Sequence, residues 1–208
     1  MGTFVVIEGP DGAGKSTLVR GLGARLLVDG LQVLTVREPG GTPVAEAARK
    51  VALRSRPELS AAAELFLILA ARADLVLRVI RPALEAGQVV LADRFDLSTR
   101  AYQVAGRGLP AADVDAALRL ATEGLVPDLT LVLDVPVEIG RERQRRTRKL
   151  QDRFEREGDA FHDRVLAAYR AATGPGVVHV DATGSKKLVQ ETAWRALQAA
   201  ALTTRGVS

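Results

Sequence analysis

Apolar positions along the chain follow two spacings. Short unbroken runs at Val5-Val6-Ile7, Val89-Val90-Leu91 and Leu129 to Leu133 fit strands buried on both faces. Elsewhere apolar residues recur every three or four positions. Leu18, Val19, Leu22, Leu26 and Leu27, for example, share one face of a helix. Leu31 to Val36 and Val177 to Val180 complete a set of five expected strands. A helix is expected from Thr42 as N-cap, with Pro43 at its first position, through about Arg54. Two helices fill Ala61 to Ala86, with Gly87 closing the second. Leu97 to Val104 and Pro110 to Glu123 read as helices separated by the loop Gly106-Arg107-Gly108. Further helices follow Pro136, span Phe161 to Ala172, and run from Lys187 to Leu202 ahead of a frayed tail, Thr203 to Ser208. Strands alternating with helices predict an α/β fold, a five-stranded parallel sheet wrapped by helices on both faces. Loops after parallel strands gather on one edge, so Gly9, Arg37, Asp93 and Asp134, each following a strand, converge there. No repeat, low-complexity stretch or linker interrupts the pattern, and a single domain over 1–208 is expected.

Composition narrows the chemistry. Hydrophobic residues make up 47% and charged residues 26% of 208, ordinary values for a soluble domain. The absence of cysteine excludes disulfides, thiolate metal sites and a cysteine nucleophile. With only His162 and His179, a histidine-based metal site is not expected. The chain enters a strand at once and holds no apolar run of about 18 residues, so no signal peptide or membrane span is expected, and the protein reads as cytoplasmic. The net charge of +4 is concentrated in one place. Arg141, Arg143, Arg145, Arg146, Arg148, Arg153 and Arg156 face only Glu142, Asp152 and Glu155 in the same stretch. Such a cluster suits a polyphosphate or a nucleic-acid backbone, and a solvated helix face would also contain it. Phe154 is its single aromatic residue, so it lacks the repeated interleaved aromatics that stack on bases, which argues against nucleic acid.

Gly9-Pro10-Asp11-Gly12-Ala13-Gly14-Lys15-Ser16 fits the phosphate-loop pattern between a strand and a helix, with Thr17 following in that helix. Glycines let backbone N–H groups wrap phosphate oxygens, and the helix N-terminus adds favourable charge. Lys15 would reach the β/γ-phosphates and Ser16 would ligate Mg²⁺. Asp93, ending an apolar strand, is placed to hold Mg²⁺ through water, with Asp134 its rival. Arg37 and Arg94 leave the same edge, and their planar guanidinium forks suit a monophosphate.

Three stretches choose among phosphate-loop proteins: Arg37-Glu38-Pro39-Gly40-Gly41-Thr42; Asp93-Arg94-Phe95-Asp96-Leu97-Ser98 with Ala101-Tyr102-Gln103; and Asp152-Arg153-Phe154-Glu155. In this order they closely resemble the thymidylate (dTMP) kinase family, from Phe4 to about Asp181. The resemblance implies a P-loop nucleoside monophosphate kinase fold with a helical lid at about 141–158. It also implies Mg²⁺-dependent phosphorylation of dTMP by ATP and a homodimer, without nucleic-acid or membrane partners. It gives Arg37 and Arg94 the acceptor phosphate, Asp11 the 3′-hydroxyl, and Tyr102 the place of a ribose 2′-hydroxyl. Ser98 and Gln103 would line the base pocket and Arg72 would meet a thymine carbonyl. Relatives stack an aromatic ring on the base four residues before that arginine, where this chain has Ile68 on the face shared with Arg72. The family places its transition-state arginine in the phosphate loop or in the lid. Gly12 at the loop position implies a lid arginine, Arg153 first and Arg148 second, with Arg141 and Arg143 flanking adenine. Two rival readings are a kinase of another nucleotide or nucleoside, and a nucleotide-dependent protein that binds nucleic acid.

Overall fold

In a computed structural model of the chain, residues 2–54, 59–146 and 152–205 are described. Five parallel strands, β1 (Thr3–Glu8), β2 (Val33–Arg37), β3 (Val89–Asp93), β4 (Leu129–Asp134) and β5 (Val177–Asp181), lie in the order β2-β3-β1-β4-β5. This is the expected sheet, and it is the P-loop kinase fold. The register aligns Arg37 with Asp93, Asp93 with Ile7, and Asp134 with Asp181, which brings the strand ends to one edge. From adjacent strands the chain leaves in opposite directions: β1 leads to β2 on one flank and β3 to β4 on the other. Such a divergence opens a crevice at the strand C-termini.

Side-chain parity builds the two covering layers. Val5 and Ile7 face α1 (Lys15–Val28) and α9 (Lys186–Arg205), where Leu18, Leu22, Leu26, Ala193 and Trp194 complete one core. Phe4 and Val6 face the opposite way, against Leu75, Val76, Ile80 and Leu84. A third cluster joins Val132 to Tyr102, Phe154, Phe161, Val165 and Tyr169, and so seats α8 (Asp159–Arg170) and the 152–158 segment beside the active edge. Three further helices are α2 (Pro43–Arg54), α6 (Ala111–Thr122) and α7 (Val137–Arg146). No helix among the described residues is long and apolar enough to cross a membrane.

Two elements differ in kind from the sequence reading. Ala61 to Ala86 is not two separate helices: α3 (Ala61–Leu75) runs through a π turn, Val76–Ile80, into α4 (Arg81–Glu85) without a break. Pro82 brings no N–H, and its ring would crowd the carbonyl four residues back. The widened turn, with the Arg81 N–H bonded to the Val76 carbonyl, makes room for it. Likewise α5 (Asp96–Thr99) continues as a π turn, Arg100–Gly106, so Gly106 closes a helix and does not open a loop. The final helix also extends past Leu202 to Arg205.

Candidate functional site

Gly9, Gly12 and Gly14 take φ of 134°, 77° and 101°, a region side chains disfavour, and so fold the loop back onto the start of α1. Lys15 Nζ donates to the carbonyls of Gly9 at 2.9 Å and Pro10 at 2.8 Å. Burial, reinforced by the charge of Arg94, pulls this ammonium down to about 8. Ser16 Oγ donates to Asp93 Oδ2 at 2.5 Å. Asp134 instead pairs with His179 Nδ1 at 2.9 Å. A hydroxyl and a carboxylate are hard oxygen donors, and no cluster of three ligating side chains exists among the described residues. That donor set fits a Mg²⁺ ion held largely by phosphate and water. A Cβ on Gly12 would stand 2.1 Å from the Gly140 carbonyl oxygen of α7, so the loop and that helix touch backbone to backbone.

Arg94 sits at φ 77°, rare for a residue with a side chain. Its Nη1 donates to Gly9 O at 3.2 Å, Ser98 Oγ at 3.0 Å and Tyr169 OH at 2.9 Å, and its Nη2 donates to Asp11 and to Tyr102 OH. Tyr102 OH donates to the other Asp11 oxygen at 2.9 Å. Burial works to raise the Asp11 carboxyl, but Arg94 and Lys15 outweigh it and hold it below the usual range. Beneath Arg94, Glu8 Oε1 accepts from the backbone N–H of Phe95 at 2.8 Å and Ser98 at 3.0 Å, and Glu8 Oε2 accepts from Ser98 Oγ at 2.6 Å. A strand carboxylate thereby caps the start of α5, and burial raises its pKa. Ser98 thus joins Glu8 to Arg94.

Glu64, Ile68 and Arg72 lie four residues apart on the buried face of α3. Arg72 Nε donates to Glu38 Oε2 at 2.6 Å, Nη1 to Thr99 Oγ1 at 2.9 Å, and Nη2 to the Phe95 carbonyl at 2.8 Å. One hydrogen remains on each terminal nitrogen. Burial pushes Glu38 up to about 7 against the opposing pull of Arg72. At the other end of this face, Glu64 accepts from Gln103 Nε2, from Arg107 and from Arg153 Nη2 at 2.7 Å. Arg153 also donates to the Leu59 carbonyl, so its guanidinium is engaged on the α3 side and not on the phosphate loop.

Arg37 is exposed at the rim, 3.8 Å from Glu46. Arg141 and Arg143 diverge: Arg141 pairs with Asp159 of α8, whereas Arg143 donates to the Ala182 carbonyl at 3.0 Å, near the end of β5. Arg148 lies outside the described residues. A cleft of about 520 Å³ opens between Asp11, Tyr102, Gly140, Arg141 and Leu166. Sequence reading missed Glu8, Glu38, Glu64, Arg107 and Tyr169. Glu8 did carry a signal, an acid ending a strand otherwise buried on both faces. Tyr169 continues the stripe of Phe161 and Val165 at fourfold spacing.

A family model described as thymidylate kinase matches residues 7–193. The chain is 50% identical over 194 residues to a thymidylate kinase of Pseudomonas fluorescens strain Pf-5, covering 91% of this chain and 92% of that protein. It is 50% identical over 193 residues to one from Pseudomonas syringae pv. tomato, covering 91% of each. To one from Pseudomonas syringae pv. syringae it is 52% identical over 169 residues, covering 81% and 80%.

Proposed function

The chain belongs to the thymidylate kinase family, and from that premise we propose that it transfers the γ-phosphoryl group of ATP to dTMP, giving dTDP and ADP. The observation that carries this reading is Arg94. Its guanidinium is held in a strained backbone setting between the phosphate loop and two tyrosine hydroxyls, ready to exchange protein acceptors for an acceptor phosphate. Gly9 to Thr17 would cradle the donor phosphates, with Lys15 leaving its loop carbonyls for them. Ser16 and Asp93 would hold Mg²⁺, which when bound would offset negative charge on the phosphates. Asp11 and Tyr102 form the wall expected against a deoxyribose, and Arg37 the outer grip on its phosphate. Ile68 offers apolar cover for the base beside Arg72. Arg143 lies on the side expected for adenine; Arg141 is turned toward α8.

Transition-state charge is assigned to the lid arginines, Arg153 and Arg148, since Gly12 supplies none. The pairing of Arg153 with Glu64 favours Arg148 for contact with the transferred group. Alanine at the arginine that contacts this group should lower kcat with little change in the dTMP KM. In this reading the whole chain is one cytoplasmic catalytic unit that pairs with a second copy. An ADP-release assay across dTMP, dUMP, dCMP, UMP and AMP tests the acceptor. The expected order is dTMP first, dUMP poorer, UMP and AMP nearly inert; comparable turnover of AMP or UMP would refute it.

A further inference from the structure

We propose that Glu64 is a positioning residue that fixes the side-chain amide of Gln103 with its carbonyl oxygen turned away, and so sets a preference for pyrimidines that carry hydrogen at N3. The inference rests on the acceptor site proposed above. Glu64 is fully buried and fully engaged. Its Oε1 accepts from Gln103 Nε2 at 2.9 Å, and its Oε2 accepts from Arg107 Nη2 at 3.0 Å and Arg153 Nη2 at 2.7 Å. Arg107 is itself pinned, 2.6 Å from Glu157 and stacked over the rings of Phe154 and Phe161. A carboxylate facing two guanidinium groups accepts hydrogen bonds and donates none.

The two ends of a glutamine amide differ only in that one donates and the other accepts, so partners decide which way it points. Turning Gln103 over would set its carbonyl oxygen against the Glu64 oxygen, two buried acceptors with no proton between them. The nitrogen is therefore held on Glu64, and the oxygen is left over. No donor among the described residues reaches that oxygen. Thymine and uracil present an N3–H to such an acceptor. Cytosine presents a bare N3, itself an acceptor. The lid residue Arg153 acts here at one remove, by keeping Glu64 in place.

The test compares kcat/KM for dTMP, dUMP and dCMP in wild type, Glu64→Gln and Gln103→Met. A glutamine at 64 can donate, so Gln103 becomes free to turn. The dTMP to dCMP ratio should then fall by at least about tenfold, the discrimination one mismatched buried hydrogen bond supplies. The dTMP to dUMP ratio should hold, because both bases carry N3–H; a merely structural disturbance would not separate the two ratios. Gln103→Met leaves Glu64 with both arginines and should lose the same discrimination, which decides the matter if Glu64→Gln does not fold. An undiminished dTMP to dCMP ratio in either folded variant overturns the proposal. Absence of dTMP turnover in the wild type overturns the proposed function and this inference together.

Discussion

Lys15 shows what burial does to a single charge. Its ammonium donates to two carbonyls, and burial together with Arg94 outweighs Asp11, Asp93 and Glu8 to bring its pKa from 10.5 to about 8. A base with a depressed pKa loses its proton as pH rises through the lowered value, and the neutral amine cannot grip phosphate. The kcat/KM for ATP, which reports the free enzyme, should therefore decline above about pH 8, approaching tenfold per pH unit. Lys15→Arg, much less active, should lack that limb, since a guanidinium stays charged. A wild-type profile flat to pH 10 would contradict the assignment. Lys15→Ala should cost several orders of magnitude in turnover with an unchanged circular dichroism spectrum, a loss of a few kcal/mol of transition-state stabilisation. The phosphate loop was legible because its chemistry is local. Eight consecutive residues between a strand and a helix specify it, and no distant partner is needed.

At the scale of elements, α5 is a single α turn continued by a π turn, too short to hold itself. Glu8 anchors it from the neighbouring strand. Removing that carboxylate in Glu8→Ala leaves two backbone N–H groups in need of partners and takes an acceptor from the hydroxyls of Ser98 and Tyr169. A loss of about 3 kcal/mol is expected, lowering Tm by roughly 5–10 °C, with a rise in the dTMP KM as Arg94 loosens. Glu8→Gln, which keeps an accepting oxygen, should be milder; equal losses would mean the buried charge itself matters. The strands and most helices were legible because parity and helical spacing are written in apolar positions. The buried acids were not. Glu8, Glu38 and Glu64 look like surface residues until partners 34 to 161 positions away are known, Arg72 for Glu38 and Tyr169 for Glu8 marking the two ends. The π turns escaped notice because an extra residue in one turn barely disturbs the apolar rhythm. The partner of Arg153 was illegible for a related reason: charge clustering in sequence shows that arginines are near a site, and not that this one meets Glu64.

At the scale of the whole molecule, the helices on the α2 and α3 flank leave an apolar face bare. Phe66, Ala70 and Leu77 are exposed along α3 and its π turn, and Val44 and Val51 along α2, the helix packed against α3. Phe66 is 64% and Leu77 56% exposed. A stripe of that length supports the proposed pairing of two copies. Light scattering should give twice the mass of 22.1 kDa for the wild type, and the single mass for Phe66→Glu with Leu77→Glu. A monomeric wild type would remove the homodimer from the proposal.

The backbone contact between Gly12 and Gly140 constrains the history of this enzyme as much as its shape. Any side chain at position 12 meets a carbonyl oxygen, which no substitution at position 140 can trim away. Gly12→Arg alone should therefore impair turnover. With the catalytic arginine in the lid, as proposed, moving that charge to the loop would require the start of α7 to shift first. The two arrangements are thus separated by a fitness valley, and lineages on either side are expected to stay there. Reconstructed ancestors should show α7 displaced before arginine arrives at position 12.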